Sequence, residues 1–205
     1  MTALGVYRDD GPLAALIGRR VARLVPAPPV ALTLLGAIPA TVVVAAAHTT
    51  PAAGPAFAAL AVFVALAAAG AARPESGRLA WAVPPMLRLA EYAFLIRLTA
   101  LADPGAMPLG FAALGVLAFH HYDAVYRLRH QGVPAPAWTR AVGGGWEGRV
   151  LVAYALALAG ALDVGLLVAS AVLAVVYVAE STASWLRFSR AARPVLYDDE
   201  AEDDA

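Results

Sequence analysis

Apolar runs of about 20 residues recur along this chain, separated by short breaks marked by proline, glycine or charge. A helix rises about 1.5 Å per residue, so a run of that length crosses a hydrocarbon core of roughly 30 Å. The runs predict six membrane-spanning helices over residues 29–48, 52–72, 79–102, 108–127, 145–162 and 164–187. Ahead of them, Asp9, Asp10, Gly11 and Pro12 read as a helix start. A carboxylate there can cap free N–H groups, and proline stands where its missing donor costs nothing. The helix runs to Leu24. Leu13, Leu16, Ile17, Val21 and Leu24 share one side and Arg19 and Arg23 the other, which suits an amphipathic helix lying in the headgroup region. Arg20 falls on the apolar side and must snorkel. The predicted organisation is an N-terminal segment 1–28 with that interfacial helix, a six-helix transmembrane domain 29–187, and an acidic disordered tail 188–205. The fold class is all-α and polytopic.

Composition agrees. The chain is 61% hydrophobic and 15% charged, against roughly 25% charged for a soluble domain, too little polar surface to cover a fold of this size in water. The lipid bilayer is the expected solvent, and no nucleic-acid partner is expected. Net charge is zero, but six of the fifteen acids sit in the tail at Asp198, Asp199, Glu200, Glu202, Asp203 and Asp204. All fifteen basic residues are arginine, a codon bias of GC-rich genomes. The absence of cysteine excludes disulfides, thiolate metal sites and cysteine nucleophiles. The first ten residues lack a basic-then-apolar signal pattern, so insertion is expected to rely on the internal helices.

Arginine placement sets the topology, because short cytoplasmic loops hold the basic excess. Six crossings put Arg8, Arg19, Arg20, Arg23, Arg73, Arg78, Arg127, Arg129, Arg140, Arg149, Arg187, Arg190 and Arg193 inside, with both termini cytoplasmic. The outer loops around Thr49, Asp103 and Asp163 then carry none. Fusing the last two spans would give five crossings and place the final arginines outside, so six is preferred, with a tight hairpin at Asp163 and Gly165.

Ionisable groups inside spans are costly and mark candidate sites. Glu91 lies near mid-membrane, and Arg88 and Tyr92 share its helix face. The pair Arg88–Glu91 either ties helices together or borders a polar cavity. In the fourth span His120, Asp123 and Arg127 fall on one stripe, where Asp123 can orient His120 or pair with Arg127. Histidine and carboxylate can bind divalent ions, but no second ligand motif accompanies them, so neither a metal nor a cofactor is assigned. Gly143, Gly144 and Gly145 precede a helix start carrying Glu147 and Arg149. Free N–H groups and a guanidinium there can hold a phosphate, and a flexible helix entry explains the glycines equally. Glu180, with Tyr177 one turn earlier, sits inside the last span. Arg97 is the exception, in the outer half, where Asp103 can neutralise it. The expectation is one polar pocket open to the cytoplasm and lined by Arg88, Glu91, Tyr92, His120, Asp123, Arg127, Gly144, Glu147, Arg149 and Glu180.

The opening YRDDGPLA, the amphipathic helix, the six spans and the DAVYR…GGGWEGR stretch resemble an uncharacterised membrane domain of GC-rich bacteria, over nearly the whole chain. That domain occurs alone or fused behind CDP-alcohol phosphotransferase domains. The resemblance implies the bacterial cytoplasmic membrane and a role near phospholipid or phospho-alcohol headgroup synthesis, with such an enzyme as partner. The phosphotransferase signature DxxDGxxAR…GxxxDxxxD is absent. Tyr7 stands at its first aspartate, Ala15 at its arginine, and Tyr126 and Arg127 follow Asp123 where DG is needed. Without those carboxylates a two-metal mechanism has no ligands. No catalytic residue is assigned. A module binding an anionic lipid or phosphorylated ligand, or a scaffold, ranks above an enzyme with His120 or Glu91 as general base, and that above a transporter.

Overall fold

The computed structural model describes residues 3–47, 53–74 and 77–191. In chain order the helices are α1 (Ala3–Tyr7), α2 (Pro12–Leu24), α3 (Pro29–Ala46), α4 (Ala53–Ala71), α5 (Val83–Ala102), α6 (Met107–Gln131), α7 (Ala137–Gly143), α8 (Gly145–Leu158) and α9 (Leu162–Ala191). Single 3₁₀ turns, Ala80–Ala82 and Pro104–Ala106, lead into α5 and α6, and no strand occurs among the described residues. Proline opens α2, α3, α5 and α6 in the first turn, where no hydrogen bond is lost. Glycine closes others: Gly132 ends α6 and Gly144 ends α7, both in the left-handed conformation that admits glycine without penalty.

Each predicted span overlaps one of α3, α4, α5, α6, α8 and α9, in that order, with α6 and α9 overrunning theirs at both ends. Two helices, α3 and α9, are long and apolar enough to cross a membrane. The fifth segment is shorter than expected. Left-handed Gly160 (φ 67°) turns the chain, so α8 stops at Leu158, the hairpin lies at 159–161, and Asp163 and Gly165 belong to α9. Its 14 residues span about 21 Å. At the other end α9 continues to Ala191, past the predicted boundary at 187. The turn around Thr49 and the acidic tail lie outside the described residues.

Small residues set the packing. A side chain at Gly36 of α3 would press on the Phe63 backbone of α4, and one at Gly18 of α2 would collide with the Ala68 carbonyl. Two faces of α2 are thereby sorted. Ala14 and Gly18 are buried, whereas Leu13, Leu16 and Leu24 point outward. The core runs through Leu60, Phe63, Leu87, Leu98, Trp146 and Val150, with the Phe63 and Trp146 ring centroids 5.0 Å apart. The outer surface is also apolar: Leu34, Leu35 and Ile38 on α3, Phe111 on α6, and Val164, Leu167, Val168 and Val175 on α9 are all exposed.

Arginines close two helix ends through carbonyls left without intrahelical partners. Arg73 donates to Ala22 and Val25 at the end of α2, and Arg97 donates to Ala47 at 2.7 Å and to Val44 and Ala45 at the end of α3. Arg97 therefore answers a helix terminus and not Asp103, whose carboxylate accepts from the Gly105 amide.

Candidate functional site

The N-terminal segment enters the bundle, and Arg8 and Asp9 are 1% and 3% exposed. Asp9 turns the chain between α1 and α2 at φ 54°, a conformation a short polar side chain tolerates. Four side chains meet its carboxylate. Arg149 Nη2 of α8 donates to Oδ2 at 2.8 Å, His121 Nε2 lies 3.4 Å from the same oxygen, His120 Nε2 lies 3.5 Å from Oδ1, and Arg88 Nη1 stands 4.0 Å away. Glu91, fully buried, accepts from Arg149 Nε at 2.5 Å, while Arg88 Nη1 is 3.9 Å distant. Two guanidiniums thus balance two carboxylates where neither charge could remain alone.

Arg88 spends its donors on the backbone of the N-terminal segment, giving Nη2 to the Tyr7 carbonyl at 2.5 Å and Nη1 to Arg8 at 3.4 Å. Tyr92 pairs with His121, its hydroxyl 2.6 Å from Nδ1. A carboxylate only accepts, so His121 presents Nε2–H to Asp9 and its bare Nδ1 accepts from Tyr92. His120 stacks on Tyr177 of α9 at 3.9 Å between centroids. Burial alone would push the Asp9 carboxyl up, but Arg149, His120, His121 and Arg88 outweigh it and hold the group well below its ordinary range.

Glu147 and the glycines have a different setting. Glu147, fully buried in the first turn of α8, accepts from the Gly11 amide at 3.1 Å and the Ala14 amide at 2.9 Å. The cap of α2 is therefore supplied from across the bundle and not by Asp9 or Asp10. A Cβ at Gly11 would overlap the Gly144 carbonyl, and one at Gly145 would overlap Gly11, so the glycines permit two backbones to touch. The Trp146 amide donates to the Asp9 carbonyl at 3.2 Å and its indole donates to Asp10 Oδ1 at 2.9 Å. Arg8 pairs with Asp10 at 2.7 Å and reaches the Ala67 carbonyl at 2.8 Å. The chain's own N-terminal segment fills the place where a phosphate was expected.

A second cluster joins α6 to α9. Arg127 donates Nη2 to Asp123 and to Glu180, both at 2.7 Å, and Nη1 to Glu180 at 2.8 Å. Asp123 also accepts from Ser181 at 2.7 Å and from the Trp185 indole at 2.9 Å. Asp123 pairs with Arg127 and His120 turns to Asp9, so the predicted stripe divides. The expected single pocket is thus three arrangements: Arg88, Glu91, Tyr92, His120 and Arg149 around Asp9; Asp123, Arg127 and Glu180 between α6 and α9; and Glu147 with Gly144 at the start of α2. Sequence reasoning did not select Asp9, His121, Tyr177, Ser181 or Trp185. The available signal was the run Arg8-Asp9-Asp10, two acids ahead of a helix that needs one cap.

Space around these groups is uneven. The hollow beside Asp9, His120 and His121 is about 20 Å³, room for about one water. The two histidines address separate oxygens of one carboxylate, and among the described residues no three histidine or carboxylate groups are arranged to hold a metal. A cleft of about 590 Å³ lies against α2's first turn, lined by Gly5, Asp10, Pro12, Arg19, Ala72 and Arg140 among others, and Arg140 also borders the hollow beside Asp9. Among the described residues neither Arg19 nor Arg140 has a hydrogen bond or ion pair, and the Asp10 carboxylate is committed to Arg8 and Trp146.

Fold and site together define an all-helical chain organised around buried ion pairs. A family of unknown function (DUF5941) matches residues 1–203, and the chain belongs to that family. No curated protein and no solved structure matches it.

Proposed function

We propose that this chain is a multi-pass module of the bacterial cytoplasmic membrane, with six crossings and both termini cytoplasmic. Its cytoplasm-facing cleft takes the phosphorylated headgroup of an anionic lipid, or a related phosphorylated ligand, and the module works beside phospholipid or phospho-alcohol headgroup metabolism. The inverted surface supports the membrane setting, since buried arginines and acids lie inside a shell of exposed leucine, valine and phenylalanine. The observation that carries the ligand is the cleft, where Arg19 and Arg140, which have no hydrogen bond or ion pair among the described residues, flank an open volume. Guanidinium forks suit phosphate oxygens. Arg127 and Arg149 are poorer candidates, because acids already surround both. General-base chemistry at His120 lacks room for a substrate in a hollow of about 20 Å³, and Glu91 is fully buried with its carboxylate engaged by Arg149.

The test is titration of the detergent-purified chain with short-chain phosphatidic acid and, separately, phosphatidylcholine. Selective binding of the acid, weakened at least tenfold by Arg19→Gln with Arg140→Gln, is expected. Unchanged affinity in the folded double variant removes the assignment.

A further inference from the structure

Away from the cleft and the Asp9 network, five aromatic rings form an unbroken strip on the outside of the bundle where α6 and α9 end. Tyr122 and Tyr126 stack at 4.3 Å between centroids, His130 follows Tyr126 at 5.5 Å, Trp185 meets His130 at 6.3 Å, and Phe188 meets Trp185 edge-on at 5.9 Å. Tyr122 and Tyr126 are 59% and 40% exposed, so these two rings are not core packing. Arg129, Arg187 and Arg190 stand exposed beside the strip, and among the described residues none of the three has a hydrogen bond or ion pair.

Helix length says at what depth the strip lies. α6 starts at Met107 and α9 at Leu162, so His130 and Trp185 stand equally far from the first residues of their helices, about 34 Å by helical rise. Their rings meet, so the two helices run level. A hydrocarbon core is roughly 30 Å thick, and headgroups extend the bilayer to about 40–45 Å. Tyr122, about 22 Å along α6, therefore lies within the core's edge, and Phe188, about 39 Å along α9, lies beyond it. The strip straddles the boundary between tails and headgroups, where amphipathic rings settle. The three arginines, about 33 to 42 Å along, stand at the level of the phosphates.

We infer that this strip is the surface by which the chain docks in the headgroup layer of the cytoplasmic leaflet, with a preference for anionic phospholipid. It rests on the membrane reading above but not on the cleft, since Arg19 and Arg140 belong to α2 and α7. Depth and charge together select the occupant. A second copy packed on the strip would set the same three arginines against one another, whereas the leaflet supplies phosphates at their level.

Spin-labelled lipids read the contact. With the chain reconstituted in phosphatidylcholine vesicles, spin-labelled phosphatidylglycerol should be motionally restricted at least twofold more than spin-labelled phosphatidylcholine. Arg129→Gln, Arg187→Gln and Arg190→Gln together should remove the preference, whereas Arg19→Gln with Arg140→Gln should keep it. Depth is checked without touching an arginine. A nitroxide on Ser189→Cys should be reached by an aqueous nickel complex, and one on Phe119→Cys by oxygen dissolved in the hydrocarbon. Equal restriction of both lipids, a full preference in the folded triple variant, or a Ser189 label shielded from nickel would each overturn the inference. So would broadening between Val125→Cys labels of two copies, which would make the strip a dimer contact. Loss of the preference in the Arg19, Arg140 variant alone would overturn the strip and leave the cleft standing, and a chain that does not enter vesicles would overturn the membrane reading with it.

Discussion

Asp9 and Arg149, 140 positions apart in the chain, meet at 2.8 Å inside the bundle, and this contact fastens the N-terminal segment to α8. Removing one partner of a buried pair leaves an uncompensated charge, at a cost of about 3–5 kcal/mol. Asp9→Ala is therefore expected to lower the melting temperature in detergent far more than Asp103→Ala, whose partner is one exposed amide. Equal melting temperatures would show that the N-terminal segment is not held by this network.

The same carboxylate gives a pH dependence of definite sign. Its folded pKa lies well below the unfolded value of about 4, so its stabilisation is fully present above that value and is lost as pH falls through the folded pKa. The stability gap between wild type and Asp9→Asn should be constant from pH 7 to about 5 and narrow only below about 4. Thermal melts across that range check it, and a gap that narrows already near pH 6 would instead assign the transition to a histidine.

Helix positions were legible in the sequence because membrane-length apolar runs carry their own signal; the partners of the charged groups were not. Glu91 announces itself inside an apolar segment, but nothing local says that Arg149, and not the neighbouring Arg88, gives it the shorter contact. An N-terminal helix read as amphipathic invites the assumption that all of it lies on the membrane surface. The seam through Ala14 and Gly18 is invisible to hydrophobicity because those residues are small rather than greasy. Glu147 looked like a ligand group for the same reason: its use as a cap depends on Gly11 and Ala14, over 130 positions away.

Glycines of the two close backbones should separate cleanly from the open one. Gly145→Ala places a Cβ against Gly11 at a positive φ, so it should destabilise by more than about 1 kcal/mol. Gly148→Ala gains helix propensity in open space and should be neutral or stabilising by up to about 1 kcal/mol. Melting temperatures of the two variants decide, and the reverse order would mean that α2 and α8 are not in contact.

At the second cluster one guanidinium serves two acids, so its removal should be worse than removing the whole group. Arg127→Met alone strands Asp123 and Glu180 together, an expected loss of about 3–5 kcal/mol. Combining it with Asp123→Asn and Glu180→Gln should recover much of that loss, because no unpaired charge then remains. A triple variant as unstable as the single one would mean that packing around Trp185, and not charge, holds α6 to α9.

Topology can be tested without background, since the chain has no cysteine. With six crossings, single cysteines at Thr49, Asp103 and Asp163 should react with a membrane-impermeant maleimide in intact cells, while Arg78→Cys, Arg129→Cys and Arg190→Cys should react only after permeabilisation. Arg190 discriminates most sharply. The basic excess argues that the end of α9 is inside, yet α8 is only 14 residues long, about 21 Å against a core of roughly 30 Å. If α8 dips in without crossing, α9 starts on the inner side and Arg190 emerges outside. Labelling of Arg190→Cys in intact cells would thus leave five crossings and move the α6–α9 ion pairs to depths set by a re-entrant α8.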